Sequence, residues 1–144
     1  MSEEKFLEVY YSAVRSAVEY CSVVYHTLIP NYLTEALESG QRRALRIIYG
    51  WDSDVRTIME VKGIERLEDR RENAILKFAL KNEHVEKYGK KWFVEKKRRN
   101  EGAITRSNSE QDRYDIPFCR NERKKSNPVL YMATKLNEHY RNQS

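Results

Sequence analysis

One proline and one glycine divide the first fifty residues into two helical segments. Apolar side chains recur every three to four residues over 3–28 and again over 32–49, which is the spacing of an amphipathic α-helix. Pro30 has no N–H to donate and therefore ends the first segment. Gly50 suits the position just beyond the last turn of the second segment. A chain that starts this way is expected to build its core from packed helices.

Three features of these segments lead to further predictions. Residues 17–29 are apolar on nearly all sides, so we expect them to lie at the centre of the core. Asn31 is a suitable N-cap for the second helix. Gly40 lies inside that helix at a cost of about 1 kcal/mol relative to Ala, and close packing against the first helix would explain it.

The same periodicity predicts three more helices. A short helix over 55–62 follows a possible cap at Asp52 or Ser53, and a third long helix spans about 64–88 with Arg71 on its inner face. The last helix spans 128–140. Because the signal for strands is weak, the predicted fold is all-α. It is a small bundle of three long helices plus a short connecting helix, with an irregular basic C-terminal extension that ends in a helix.

Charge and composition suggest three regions: a helical bundle over 1–88, a basic, loop-rich extension over 89–127 and a C-terminal helix over 128–141. The net charge is +5, and residues 89–144 alone carry 14 basic and 7 acidic side chains. This excess indicates a polyanionic partner such as nucleic acid, although many basic domains are simply soluble. With two distant cysteines and no apolar run of membrane length, an intracellular protein is expected; nuclear and cytoplasmic locations are not distinguished.

A basic cluster on the second helix is the first candidate binding site. Arg42 and Arg46 are four residues apart and share a face, so their guanidinium groups can reach the same polyanion. The alternative is a solvated face, or ion pairs with Glu35, Glu38 and Glu68. The full candidate cluster is Gln41, Arg42, Arg43 and Arg46.

A second candidate begins after Gly89, where basic side chains alternate with aromatic ones. Lys and Arg can neutralise phosphates while an aromatic ring stacks on a base. The alternative is that Trp92 and Phe93 anchor this segment to the helical bundle. The candidate residues are Lys90, Lys91, Trp92, Lys96, Lys97, Arg98 and Arg99.

Catalytic and metal-binding patterns are not found in the sequence. His26, His84 and His139 have no ligand spacing to each other or to a cysteine, and there is no CxxC pair. No carboxylate lies in an apolar stretch that would perturb its pKa. We therefore expect no metal, no cofactor and no self-contained enzyme active site.

The order of these motifs resembles the C-terminal part of reverse transcriptases from non-LTR (LINE- or jockey-like) retrotransposons. The resemblance covers most of the chain, through degenerate motifs. Matching stretches lie at Glu19-Tyr20-Cys21-Ser22, Tyr25-His26, Leu37-Glu38, Gln41-Arg42-Arg43-Ala44-Leu45-Arg46, Gly50, 63–71 and 114–138. In the last of these, Leu136-Asn137 stand without the tryptophan that the family usually has.

This resemblance implies the thumb and tail of an RNA-directed DNA polymerase, a helical region that grips the template–primer duplex. Gln41, Arg42, Arg43 and Arg46 match its basic helix. The paired aspartates of the polymerase palm are absent from this sequence, and Asp52 and Asp54 lie in a turn. We therefore expect a fragment, a truncated element copy or a retained remnant that is not an enzyme on its own.

The expected activity is sequence-tolerant binding of RNA, DNA or an RNA–DNA hybrid, with no membrane partner. Two alternatives stay open. The chain can be a protein-interaction or self-association module, because an isolated thumb exposes apolar surface. It can also be a retroelement remnant without a selected function.

Overall fold

The computed structural model describes residues 2–87, 89–95, 112–121 and 126–143. Helices dominate these ranges, and the β-structure within them is a single isolated bridge between Glu95 and Tyr114. The prediction of an all-α protein is confirmed. The chain divides into two compact units, Met1–Ala74 and Ile75–Ser144. This division falls within a helix, whereas the composition places the regional boundaries after residues 88 and 127.

The first unit contains the N-terminal helices, and one helix continues across the division. The helices are α1 (Glu3–Val9), α2 (Ser16–Glu19), α3 (Ser22–Tyr25), α4 (Asn31–Tyr49), α5 (Val55–Val61), α6 (Leu67–Asn82), α7 (Gly89–Trp92) and α8 (Pro128–Arg141). A π-helical stretch, Tyr10–Arg15, joins α1 to α2.

The first predicted helix is interrupted, so the expectation of one long helix over 3–28 is wrong. The chain leaves helical geometry at Tyr20, where ψ is 129°, and Cys21 adopts a left-handed conformation with φ of 54°. Helix α3 then restarts for a single turn. Residues 17–29 do not form the centre of the core either, because Val24 and Leu28 are 60% and 59% exposed. Apolar composition alone did not reveal that the chain turns here.

The core of the first unit lies where α4, α5 and the segment before α6 meet. Leu45, Val55 and Ile64 are buried together, and Leu7 of α1 packs against them. Helix α5 is capped by Asp54 rather than by Asp52 or Ser53. The Asp54 carboxylate accepts hydrogen bonds from the Arg56 N–H and the Thr57 hydroxyl, and these bonds hold its pKa below the usual range.

Replacing Gly40 or Gly89 by alanine is expected to change the free energy of unfolding in opposite directions. A Cβ at Gly40 would meet nothing within 4 Å, so the predicted close packing at this position is wrong. Gly40→Ala is therefore expected to raise the free energy of unfolding by about 1 kcal/mol, through helix propensity alone. At Gly89 a Cβ would lie 2.0 Å from the Asn82 carbonyl oxygen and 2.6 Å from that of Glu83.

Gly89→Ala is therefore expected to lower the free energy of unfolding by about 1–3 kcal/mol, because backbone atoms must move apart. Urea titrations of both variants and of the unsubstituted chain measure the two effects. Equal effects of the two substitutions, in sign and size, would contradict the packing described here.

Candidate nucleic-acid interface

The inner face of α4 joins this helix to the start of α6 through two buried polar side chains. Glu38 and Gln41 are each 3% exposed. The Glu38 carboxylate accepts a hydrogen bond from the Glu68 N–H at 2.8 Å, and the Gln41 amide donates to the Glu65 carbonyl oxygen at 3.1 Å. Because the first N–H groups of a helix lack partners within it, Glu38 acts as an N-terminal cap supplied by another helix.

This arrangement corrects the expectation for Gln41. Its side chain is buried in the first unit, and its amide is used by the backbone of Glu65. A phosphate outside the protein therefore has no access to it in this structure. The sequence did contain a signal for this role, since Glu38 and Gln41 are three residues apart on the same side as the apolar residues Leu37 and Leu45.

The side of α4 away from Glu38 and Gln41 carries two arginines of the predicted cluster. Arg43 and Arg46 are exposed, and neither forms an ion pair with the residues that the structure describes. Arg42 is half-buried and binds the Glu35 carboxylate at 2.6 Å. Arg42 is thus paired with an acidic neighbour, which was the alternative to phosphate binding. The guanidinium groups of Arg43 and Arg46 are exposed to solvent.

Apolar side chains border these two arginines on the same exposed side. Tyr32 is 71% exposed near the start of α4, and Ile47 is 63% exposed near its end. The residues between them along the helix are small: Ala36, Ser39 and Gly40 are all exposed. We call the surface formed by Tyr32, Ala36, Ser39, Gly40, Arg43, Arg46 and Ile47 the outer face of α4.

Three other arginines of the first unit make internal contacts. Arg15 and Arg70 both donate to the Glu19 carboxylate, with Arg70 Nη2 at 3.0 Å from Glu19 Oε2. The Arg70 guanidinium is the main cause that lowers the pKa of Glu19. Arg71 is fully buried, as its predicted place on an inner face requires, and its Nε contacts His26 Nδ1 at 3.4 Å.

The second candidate segment is described only in part. Lys90, Lys91 and Trp92 lie in α7, where Lys90 pairs with Glu86 at 3.2 Å and Trp92 is 39% exposed. Phe93 is buried against the Tyr114 ring, with ring centroids 5.6 Å apart. Phe93 therefore packs within the second unit, against a residue of the extension. The remaining candidates, Lys96, Lys97, Arg98 and Arg99, lie outside the described residues.

The second unit is held together by a buried polar cluster that the sequence did not reveal. The Glu83 carboxylate is 6% exposed and accepts hydrogen bonds from the hydroxyls of Tyr114 at 2.9 Å and Tyr140 at 2.6 Å. Asn137 accepts from the Tyr114 N–H at 2.9 Å and donates to the Tyr114 carbonyl oxygen at 3.0 Å. These bonds fix an extended segment against α8, so we assign the cluster a structural role.

Burial makes several phenols hard to ionise. It raises the pKa of Tyr10 to about 12, and burial together with the hydrogen bond to Glu83 raises the pKa of Tyr114 further. Unfolded tyrosines lose their protons near pH 10. The unfolded state therefore releases protons first, so the stability that these phenols contribute is fully present below about pH 10 and is lost as the pH rises through the folded pKa values.

Urea midpoints measured by far-UV circular dichroism between pH 8 and 12 test this expectation. Tyr114→Phe removes one phenol whose pKa is raised, so the fall of the urea midpoint at alkaline pH should become shallower. Tyr32→Phe is the matched control, because Tyr32 is exposed. Identical slopes for Tyr114→Phe and the unsubstituted chain would contradict the assignment.

Metal and membrane features are not seen in the described part of the chain. No group of three or more His, Cys, Asp or Glu side chains is placed to hold a metal ion there. None of the described helices is both long enough and apolar enough to span a bilayer.

Comparison of the sequence with protein-family models, with curated proteins and with solved structures finds no match.

Proposed function

We propose that this chain is a non-catalytic module that binds RNA or DNA backbones without sequence preference, through the outer face of α4. The observation that carries the proposal is the exposure of Arg43 and Arg46 on one face without acidic partners in the described residues. Like charges three residues apart destabilise a helix by a few tenths of a kcal/mol, and a bound polyanion removes that repulsion. The resemblance to a retroelement thumb supports the same reading.

Small side chains on this face favour close approach. Ala36, Ser39 and Gly40 leave the backbone of α4 near the surface, and a Cβ at Gly40 would touch nothing. A nucleic-acid strand lying along α4 can therefore reach the forked guanidinium groups of Arg43 and Arg46 without displacing bulky side chains. Such contacts carry no information about base identity, so binding should be sequence-tolerant.

Salt dependence tests the proposal directly. Phosphate contacts release counterions, so log K should fall linearly with log salt concentration, with a slope of about −0.7 per contact on a single strand. We expect fluorescence anisotropy of labelled RNA, DNA and hybrid oligonucleotides to show binding at low salt that weakens steeply between two salt concentrations. Absence of binding to all three at low salt would contradict the proposal.

A second candidate function is self-association, and a specific surface favours it. Tyr20, Val24 and Leu28 are 77%, 60% and 59% exposed within the segment 20–28. Exposed apolar side chains of this kind can pair with a second copy of the chain. Light scattering distinguishes the candidates, because a dimer that is insensitive to salt and has no affinity for nucleic acid would favour self-association.

A further inference from the structure

Trp51 is exposed just beyond the C-terminal end of α4, the helix that carries Arg43 and Arg46. Its side chain is 66% exposed, although tryptophan is among the more buried residue types on average. It lies two residues after Tyr49, the last residue of α4. Ile47, which is 63% exposed, and Arg46 lie in the last turn of the helix before it. A large aromatic ring is thus solvent-exposed five residues after Arg46, which forms no ion pair among the described residues.

The turn that carries Trp51 is held by hydrogen bonds on both sides. The Gly50 N–H donates to the Arg46 carbonyl oxygen at 2.9 Å, which ties the turn to α4. The Gly50 carbonyl oxygen accepts from the Ser53 hydroxyl at 2.5 Å. Gly50 has a φ of 101°, a conformation that favours glycine. The backbone on which the indole is mounted is therefore anchored, and little ordering of the turn is needed when a ligand binds.

Charge and shape together select the ligand class. Arg43 and Arg46 are three residues apart, so their side chains start roughly 5–6 Å from each other, which suits neighbouring phosphates of one strand. The flat face of an indole can stack only on a base that is not paired and stacked within a duplex. Asp52 is exposed and follows Trp51 in the chain, whereas Arg46 precedes it, so phosphates are expected to lie toward Arg46 and away from the Asp52 carboxylate.

We propose that Trp51 stacks on an unpaired base while Arg43 and Arg46 hold the adjacent phosphates, which makes single-stranded nucleic acid or the unpaired end of a duplex the preferred ligand. This inference rests on the proposed function of the outer face of α4. It adds a residue to that surface and a preference between nucleic-acid forms. A protein partner that used Trp51 and Ile47 as apolar anchors is the competing explanation.

The chain contains two tryptophans, Trp51 and Trp92, so replacing one of them leaves the fluorescence of the other to be observed alone. In a Trp92→Phe background, titration with single-stranded oligothymidylate should quench the fluorescence of Trp51 saturably. A blunt duplex of the same length should bind with little quenching. The reciprocal background, Trp51→Phe, leaves Trp92 as the reporter and is the matched control.

Affinity provides an independent readout. Trp51→Leu is expected to weaken binding of the single strand about tenfold or more and to leave duplex binding within twofold, since stacking contributes on the order of one factor of ten per base. Trp51→Phe, which keeps a ring, should retain most of the affinity. These variants alter an exposed side chain, so urea midpoints close to that of the unsubstituted chain are expected.

The possible outcomes separate the two proposals. Absence of binding to every oligonucleotide overturns the proposed function and this inference with it. Binding that depends on Arg43 and Arg46, without quenching and with Trp51→Leu unchanged, overturns the inference alone. Loss of a salt-insensitive self-association in Trp51→Leu, with no change in single-strand affinity, assigns the indole to a protein contact and also overturns it.

Discussion

Asn137→Leu is expected to lower the free energy of unfolding by about 3 kcal/mol, because it leaves buried backbone groups of Tyr114 without partners. Tyr114 is 3% exposed and Asn137 is 2% exposed, so water does not replace the lost bonds easily. The asparagine amide bonds both the N–H and the C=O of Tyr114. Each buried group left unsatisfied costs roughly 1–3 kcal/mol, whereas the size of the side chain hardly changes.

Asn142→Leu is the matched control for this substitution. Asn142 is exposed just beyond the end of α8, and the same chemical change there should alter the free energy of unfolding by less than about 0.5 kcal/mol. Urea titrations of the two variants give the comparison. Equal stabilities of the two variants would show that the extended segment around Tyr114 is not held by Asn137.

Reversing the charges of Arg43 and Arg46 is expected to weaken nucleic-acid binding on the order of a hundredfold at low salt. The double substitution Arg43→Glu and Arg46→Glu removes the two proposed phosphate contacts and places carboxylates at the same positions. The slope of log K against log salt should become shallower by about 1.4 on a single strand. Anisotropy titrations of the same oligonucleotide at several salt concentrations measure both quantities.

A control of equal net charge separates local contacts from overall attraction. Lys5 and Arg56 are exposed in the first unit, and no ion pair of either is seen among the described residues. Lys5→Glu with Arg56→Glu changes the net charge by the same amount as the Arg43 and Arg46 pair. This control should retain most of the affinity and the original salt slope. Equal losses in the two double variants would mean that net charge, and not the outer face of α4, attracts the ligand.

Much of the helical architecture was predictable because it depends on local periodicity. The spacing of apolar residues placed α4 to within one residue of its observed start, and Asn127 and Pro128 begin α8 as helix capping requires. The inner position of Arg71 followed from the same spacing. These features need only neighbouring residues, so they do not depend on how distant parts of the chain meet.

The features that were missed depend on contacts between distant residues or on backbone geometry. Cys21 takes a left-handed conformation that its residue type does not favour, so the end of α2 had no sequence signal. Gln41 belongs to a basic cluster in sequence, yet it bonds the backbone of Glu65. Glu83 lies outside any apolar stretch and becomes buried because Tyr114 and Tyr140 reach it from far along the chain. Local patterns do not contain this information.

Mapping the bound surface by NMR tests the central claim most directly. In ¹⁵N-labelled protein titrated with an unlabelled oligothymidylate at low salt, we expect amide shifts concentrated on Ser39, Gly40, Arg43 and Ile47 and on the indole N–H of Trp51. The shifts should disappear when the salt concentration is raised. Shifts confined to residues 89–95 and 112–143, or no shifts at all, would contradict the claim that the outer face of α4 binds nucleic acid.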